Sequence, residues 1–340
     1  MGDNHSHGAR PGGLAAHESA ALTGRVTRIS VGVAALLVLL KGVAWYYSGS
    51  VGLLASAGDS ALDFVAASAT FFAVRYAIEP ADAEHRFGHG KAEAFASLMQ
   101  AGLVFASGAL LGREAIDHFL HPRPVEAELW GMGVMILSTA AVFALVSAQG
   151  RVLAKTDSVA VQGDRVHYMA DAVCNMAALV GLGGTLLFHE PRIDAVAGFF
   201  VAGWLIWGAI SVFRESSNQL MDRELGDEDR ALIKALVAGD PDVGGVHQLR
   251  TRAAGPFVHI QMHVDLAPDL SLAEAHHIVV RAESRLLQAF PAADVLIHAD
   301  PIGLAEPHGG VFGEMGYRDE HDHADDHDHG LAGHTSGLGS

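Results

Sequence analysis

Residues 29–47 read ISVGVAALLVLLKGVAWYY, and residues 53–76 read LLASAGDSALDFVAASATFFAVRY. Each is close to the ~20 residues that a helix needs to cross a ~30 Å hydrocarbon core. Four further stretches of this kind follow at residues 94–120, 129–152, 166–188 and 193–213. All are rich in Gly, Ala and Ser, which let helices approach closely inside a bilayer. Buried helices of a large soluble protein could explain one such stretch. Six in succession, joined by short polar connections, predict a helical membrane protein with six transmembrane helices.

Composition agrees. Half of the 340 residues are hydrophobic and 18% are charged, against about a quarter charged in soluble proteins. The formal charge of −17 argues against nucleic acid, whose recognition calls for a basic face. The chain has 21 His but one Cys, so no intramolecular disulfide scaffold exists. Cys174 lies in an apolar run and reads as a small packing residue. The polar start of the chain does not read as a secretory signal peptide. Basic residues gather on alternate connections: Arg25 and Arg28, then Arg75, Arg86 and Lys91, then Arg151, Lys155 and Arg165, then Arg214. The opposite connections carry Arg123 and Arg192. That asymmetry places both termini in the cytoplasm.

The pattern changes after Phe213. Residues 227–237 have helical spacing with acidic residues in the first turn. Residues 243–252 and 257–266 alternate as two antiparallel strands around Ala253, Ala254, Gly255 and Pro256. Residues 272–290 read as a helix and 294–298 as a short strand. An α-β-β-α-β domain of this size resembles a small ferredoxin-like α+β sandwich. The expected division is a His-containing N-terminal segment at 1–26, the membrane domain at 27–215, the cytoplasmic domain at 216–304 and a tail at 305–340. The tail, with HDHADDHDH at 321–329, is too poor in apolar residues to fold alone.

Ionisable groups inside the spans carry the functional signal. Asp59 and Asp63 stand four residues apart in the second span (GDSALDFVAAS), and His167 and Asp171 in the fifth (VHYMADAVCN). This spacing puts each pair on one helix face. Carboxylates in hydrocarbon cost several kcal/mol, so they face a cavity, a partner or a cation. One imidazole and three carboxylates match the ligand number and type of tetrahedral zinc. Helix-packing hydrogen bonds would account for one such Asp, less readily for two pairs on two helices. Lys41, near the middle of the first span, either pairs with a carboxylate or snorkels. Asp82, His85 and His89 follow the second span with a spacing that suits a metal or, equally, a solvated loop. His247, His259, His263, His276, His277, His298 and Asp300 supply enough ligands for at least one metal site in the soluble domain.

The stretches LLASAGDSALDFVAAS, PADAEHRFGHGKAEA, VHYMADAVCNMAAL and HQLRTRAAGPFVHIQMHVD together resemble the cation diffusion facilitator family, in its bacterial zinc/iron efflux branch. The resemblance runs from about Thr27 to Pro301. It implies a homodimer in the bacterial inner membrane that moves Zn2+, Cd2+ or Fe2+ out of the cytoplasm by alternating access as protons enter. It implies a transport site at Asp59, Asp63, His167 and Asp171 and a loop site at Asp82, His85 and His89. It further implies a cytoplasmic site at His247, His263, His298 and Asp300, with His276 as a further ligand, and an inter-subunit charge lock between Lys91 and Asp222. His259, His277 and the tail lie outside the family's pattern. Members that prefer manganese commonly carry carboxylate in place of the span-five imidazole, so His167 favours zinc. An intramembrane metallohydrolase would need an open coordination position and a water-activating carboxylate, and no HExxH is present. A metal buffer without transport, or a passive channel, would be separated from an antiporter by flux measurements.

Overall fold

A computed structural model describes residues 11–49, 51–121, 129–188 and 192–303. Six long helices come first: α1 (Ala16–Ser48), α2 (Val51–Ala77), α3 (Ala92–Leu120), α4 (Leu129–Thr156), α5 (Val159–Phe188) and α6 (Arg192–Leu220). Their outer surfaces are apolar. Leu39, Leu62, Phe72, Phe95, Leu110, Phe200 and Trp207 are all exposed, as expected of side chains that meet acyl chains. Among the described residues, five helices are long and apolar enough to cross a membrane. α5 carries Asp164, Arg165, His167 and Asp171 in its first half, and its sequence runs on through the apolar stretch 172–188.

α1 begins at Ala16, well before the apolar stretch that opens at Ile29. The polar residues of this extension turn their hydroxyls onto the helix itself. Thr23 Oγ1 donates to the Ser19 carbonyl and Thr27 Oγ1 to the Thr23 carbonyl, both at 2.9 Å. At the other end Gly49 adopts φ 66°, and its amide bonds the Trp45 carbonyl, a left-handed cap that favours glycine.

The charged helix is the central one. α5 touches each of the other five, while α1 lies along α2 and α3 along α6. Close approach is built into the chain: a Cβ on Gly163 of α5 would stand 2.8 Å from Ser97 Oγ and 3.0 Å from the Ser97 Cα on α3. The polar groups on α5 therefore point into protein rather than lipid.

The soluble domain comprises α7 (Asp227–Ala238), β1 (Gly245–Ala254), β2 (Phe257–Leu266), α8 (Leu272–Ala289) and β3 (Ala293–Pro301). The sheet order is β1-β2-β3, with β1 antiparallel and β3 parallel to β2. A parallel pair needs a crossover, and α8 supplies it. Its start is fixed by a capping box in which Ser271 Oγ accepts from the Glu274 amide and Glu274 reaches back to the Ser271 amide. Val258, Ile260, Met262 and Val264 of β2 pack with Ile233 and Val237 of α7 and with Ile278, Leu286 and Phe290 of α8. This is the α-β-β-α-β arrangement expected. β1 starts and ends two residues later than the alternation suggests, and pairing with β2 lengthens β3 at both ends. The His/Asp-rich tail at 305–340 lies outside the described residues.

Candidate metal centres

Among the described residues, three groups of His and carboxylate come together. The first is within the membrane domain. Asp63 of α2 and His167 and Asp171 of α5 each offer a ligand atom within 4.8 Å of the others. His167 Nε2 lies 3.0 Å from Asp63 Oδ1, and the His167 ring stands edge-on to the buried Tyr168 ring, 5.7 Å away. Ligand atoms at ~2.0–2.2 Å from zinc can be no more than roughly 4.4 Å apart, so a small side-chain adjustment would bring the three onto one ion. Asp59 stands one turn along α2 from Asp63 and is exposed, outside that trio. Lys41 of α1 donates to Ser60 Oγ at 2.7 Å.

Beneath the trio is a polar network that the sequence reading missed. Asp164, one turn before His167, is 1% exposed. It accepts from Gln149 Nε2 of α4 at 2.8 Å and from Gln100 Nε2 of α3 at 3.4 Å. Gln149 Nε2 also reaches Ser30 Oγ of α1, and Gln100 Nε2 reaches Thr70 Oγ1 of α2. One carboxylate thus ties all the helices from α1 to α5. Buried glutamines are the available signal in the sequence: Gln100 and Gln149 both sit in apolar runs.

The second group lies between α2 and α3. Asp82 accepts from the amides of Glu84 and His85. The His85 amide above all, with that of Glu84, holds the Asp82 carboxyl below the usual carboxylate range despite some desolvation. It is therefore ionised and ready for a cation. His85 Nδ1 lies 3.4 Å from Asp82 Oδ1, and the buried His89 Nε2 lies 3.3 Å from Asp82 Oδ2. His89 Nε2 has no hydrogen-bond partner among the described residues. A buried imidazole nitrogen near a carboxylate yet not bonded to it is the geometry of two ligands aimed at a shared ion. Its other nitrogen lies 3.3 Å from the Glu79 carbonyl, a contact that would fix the tautomer.

Register builds the third group. His247 of β1 pairs with His263 of β2, and His263 pairs with His298 of β3, so three imidazoles form a row across the sheet. Asp300 sits beside the row. His263 Nδ1 lies 2.8 Å from Asp300 Oδ2, His298 Nε2 3.2 Å from Asp300 Oδ1 and His247 Nε2 3.5 Å from Asp300 Oδ2. Asp265, which sequence reasoning did not single out, lies 3.4 Å from His247 Nε2. His276 is exposed on α8 beside His277, outside the trio of His247, His263 and Asp300.

The membrane and soluble domains meet where α6 ends. Lys91 Nζ lies 2.9 Å from Asp222 Oδ1, and Arg252 Nη1 3.1 Å from Asp222 Oδ2, all within one chain. Against partial burial, the hydrogen bond from Lys91 and the charge of Arg252 hold Asp222 below the usual carboxylate range. Phe87 lies under the Arg252 guanidinium at 4.9 Å and edge-on to His259 at 5.9 Å. His259 Nδ1 lies 3.1 Å from Asp294 Oδ2, which gives His259 a structural setting outside the metal clusters. Gly90 and Gly255 bring the two backbones into contact. A Cβ on Gly255, whose φ is +58°, would stand 2.6 Å from the Gly90 carbonyl oxygen.

A bundle of membrane-length helices with carboxylates and imidazole at its centre, joined to a soluble domain with its own His/Asp row, defines a polytopic membrane protein with candidate sites for divalent cations. The cation efflux transmembrane domain matches residues 27–221, and the cytoplasmic domain of cation efflux proteins matches residues 225–302. The cation-efflux pump FieF of Cronobacter sakazakii is 38% identical over 285 residues, covering 84% of this chain and 95% of that one. FieF of Klebsiella pneumoniae is 38% identical over 280 residues, covering 82% and 93%. A solved structure of CzrB in a Zn form is 32% identical with a TM-score of 0.23, covering 25% of this chain and 98% of that chain. The chain belongs to the cation efflux (cation diffusion facilitator) family, in its iron/zinc efflux branch.

Proposed function

We propose that this chain exports zinc from the cytoplasm in exchange for protons, with Asp63, His167 and Asp171 as the core of the transport site and Asp59 as its fourth ligand. The observation that carries this is the convergence of one imidazole and two carboxylates from α2 and α5 in the centre of the helix bundle. Nitrogen in the donor set favours zinc over harder cations, which prefer oxygen; Cd2+ and Fe2+ are the nearest competitors. Ligation requires the neutral imidazole and ionised carboxylates, so protons and metal compete for the same atoms. Asp59, exposed and one turn away, would close on the ion to complete four ligands and open to release it.

In this reading both termini are cytoplasmic and the protein works as a homodimer in the inner membrane. Asp82, His85 and His89 form a second site. His247, His263, His298 and Asp300 form a sensing site, to which a rearranged His276 could add. Lys91 and Asp222, paired within one chain, serve as the inter-subunit charge lock where the membrane and soluble domains meet. The test is zinc uptake into sealed inside-out vesicles under an imposed pH gradient. Antiport requires zinc movement to drive a counter-flow of protons and the pH gradient to drive zinc. Zinc flux without proton movement would indicate a channel or uniporter, and zinc binding without flux a buffer.

A further inference from the structure

Lys41 is placed to do more than anchor a helix. It lies about 10 Å of helix before the end of α1, taking 1.5 Å per residue. A snorkelling lysine would send its amine toward the interface. Here the ammonium turns inward instead: it donates to Ser60 Oγ at 2.7 Å and lies 3.4 Å from the Ser56 carbonyl oxygen, both on α2. Ser60 is buried and directly follows Asp59. Ser60 lies within the single turn of α2 that separates Asp59 from Asp63. Lys41 is thus a fixed cation at the Asp59 end of the cluster, held among the described residues by the Ser60 hydroxyl and the Ser56 carbonyl and not by a carboxylate.

We infer that Lys41 is a built-in counter-cation that weakens divalent-metal binding at the Asp63–His167–Asp171 site and speeds release of the ion past Asp59. Two or more carboxylates without a cation repel one another, and a tethered ammonium relieves that repulsion whenever the metal is gone. The same charge repels a bound dication. In a low-dielectric interior both effects are much larger than in water. The hydroxyl contact matters because it keeps the ammonium near the site without spending it in an ion pair. The consequence is a smaller difference in free energy between loaded and unloaded site, which a carrier needs if it is to turn over rather than trap its ion.

This inference rests on the reading of that trio as the transport site, and the experiment separates the two. Initial zinc rates are measured against zinc concentration in proteoliposomes of the full chain, for wild type, Lys41→Gln, Lys41→Met and Lys41→Arg. Gln keeps a donor for Ser60 but loses the charge, Met loses both, and Arg keeps both. Removing the charge is expected to lower KM and Vmax together, each by roughly tenfold, because tighter binding slows release. Lys41→Arg is expected to stay within about threefold of wild type on both. Gln and Arg behaving alike, or a neutral variant with unchanged or raised KM, would overturn the inference and leave Lys41 a helix clamp. Absence of zinc flux in the wild type would instead overturn the site reading, and this inference with it.

Discussion

His167 Nε2 and Asp63 Oδ1 lie 3.0 Å apart, joining the two helices that carry the intramembrane carboxylates. The imidazole is the one nitrogen donor in the trio, so its replacement should change which ion is preferred. In His167→Asp the site becomes all-carboxylate, closer to what manganese accepts. Flux assays with zinc, cadmium and manganese are expected to show manganese gaining at least about tenfold relative to zinc. An unchanged ranking would show that His167 does not select the ion.

Asp164 should matter through the amides it holds. Asp164→Leu leaves the Gln100 and Gln149 amides without their buried acceptor. Each stranded group costs ~1–3 kcal/mol, so detergent thermal stability is expected to fall by about 3 kcal/mol. Adding Gln149→Leu, which removes one stranded amide, should recover part of that loss. A double variant no more stable than the single one would show that the network is not what Asp164 supports.

Phe87 should act as a fastener between the domains. Phe87→Ala removes the ring beneath the Arg252 guanidinium and beside His259. A cation–π contact of this kind is worth ~0.5–2 kcal/mol. Hydrogen exchange at residues 253–256 is expected to speed up several-fold in the variant, while exchange in α8 stays unchanged. Equal acceleration in both would mean the whole soluble domain had loosened.

Asp240 should set the acid limit of the soluble domain. Its buried carboxyl accepts from Arg281 at 3.0 and 3.1 Å and is paired with Arg285. These interactions, the Arg281 hydrogen bonds foremost, push it down to about 2. Its folded value is below that of an unfolded Asp, ~3.9, so the stabilisation is complete above about pH 4 and is lost as pH falls toward about 2. Asp240→Asn is expected to lose about 2 kcal/mol at pH 7 and to flatten the acid dependence of exchange in α7 and α8. An acid profile unchanged by the substitution would assign it to other groups.

The elements were largely legible because their causes are local. Apolar length marks a membrane helix, and the alternation over Phe257–Leu266 reproduces β2 residue for residue. The grouping of Asp63, His167 and Asp171 was legible too, since charges at helical spacing in an apolar run have few explanations. What escaped depends on pairing between distant segments. Asp164 reads as the polar edge of a span until α3 and α4 bring Gln100 and Gln149 to it. Asp265 gains its place from the β1–β2 register, which sets it near His247. Asp59 shows the converse: helical spacing puts it on the face of Asp63, but spacing does not say that both reach the same point.

The glycine contact between Gly90 and the Ala254–Gly255 turn has a mechanical meaning. Two main chains that touch with no side chain between them can roll on one another without repacking, yet cannot be pushed closer. The β1–β2 turn therefore bears directly on the residue before Lys91, where α3 begins. A tilt of the sheet that carries the histidine row would press on the foot of α3, the helix whose Gln100 reaches Asp164. A side chain on either glycine would collide with the opposite backbone and force the two chains apart at that bearing.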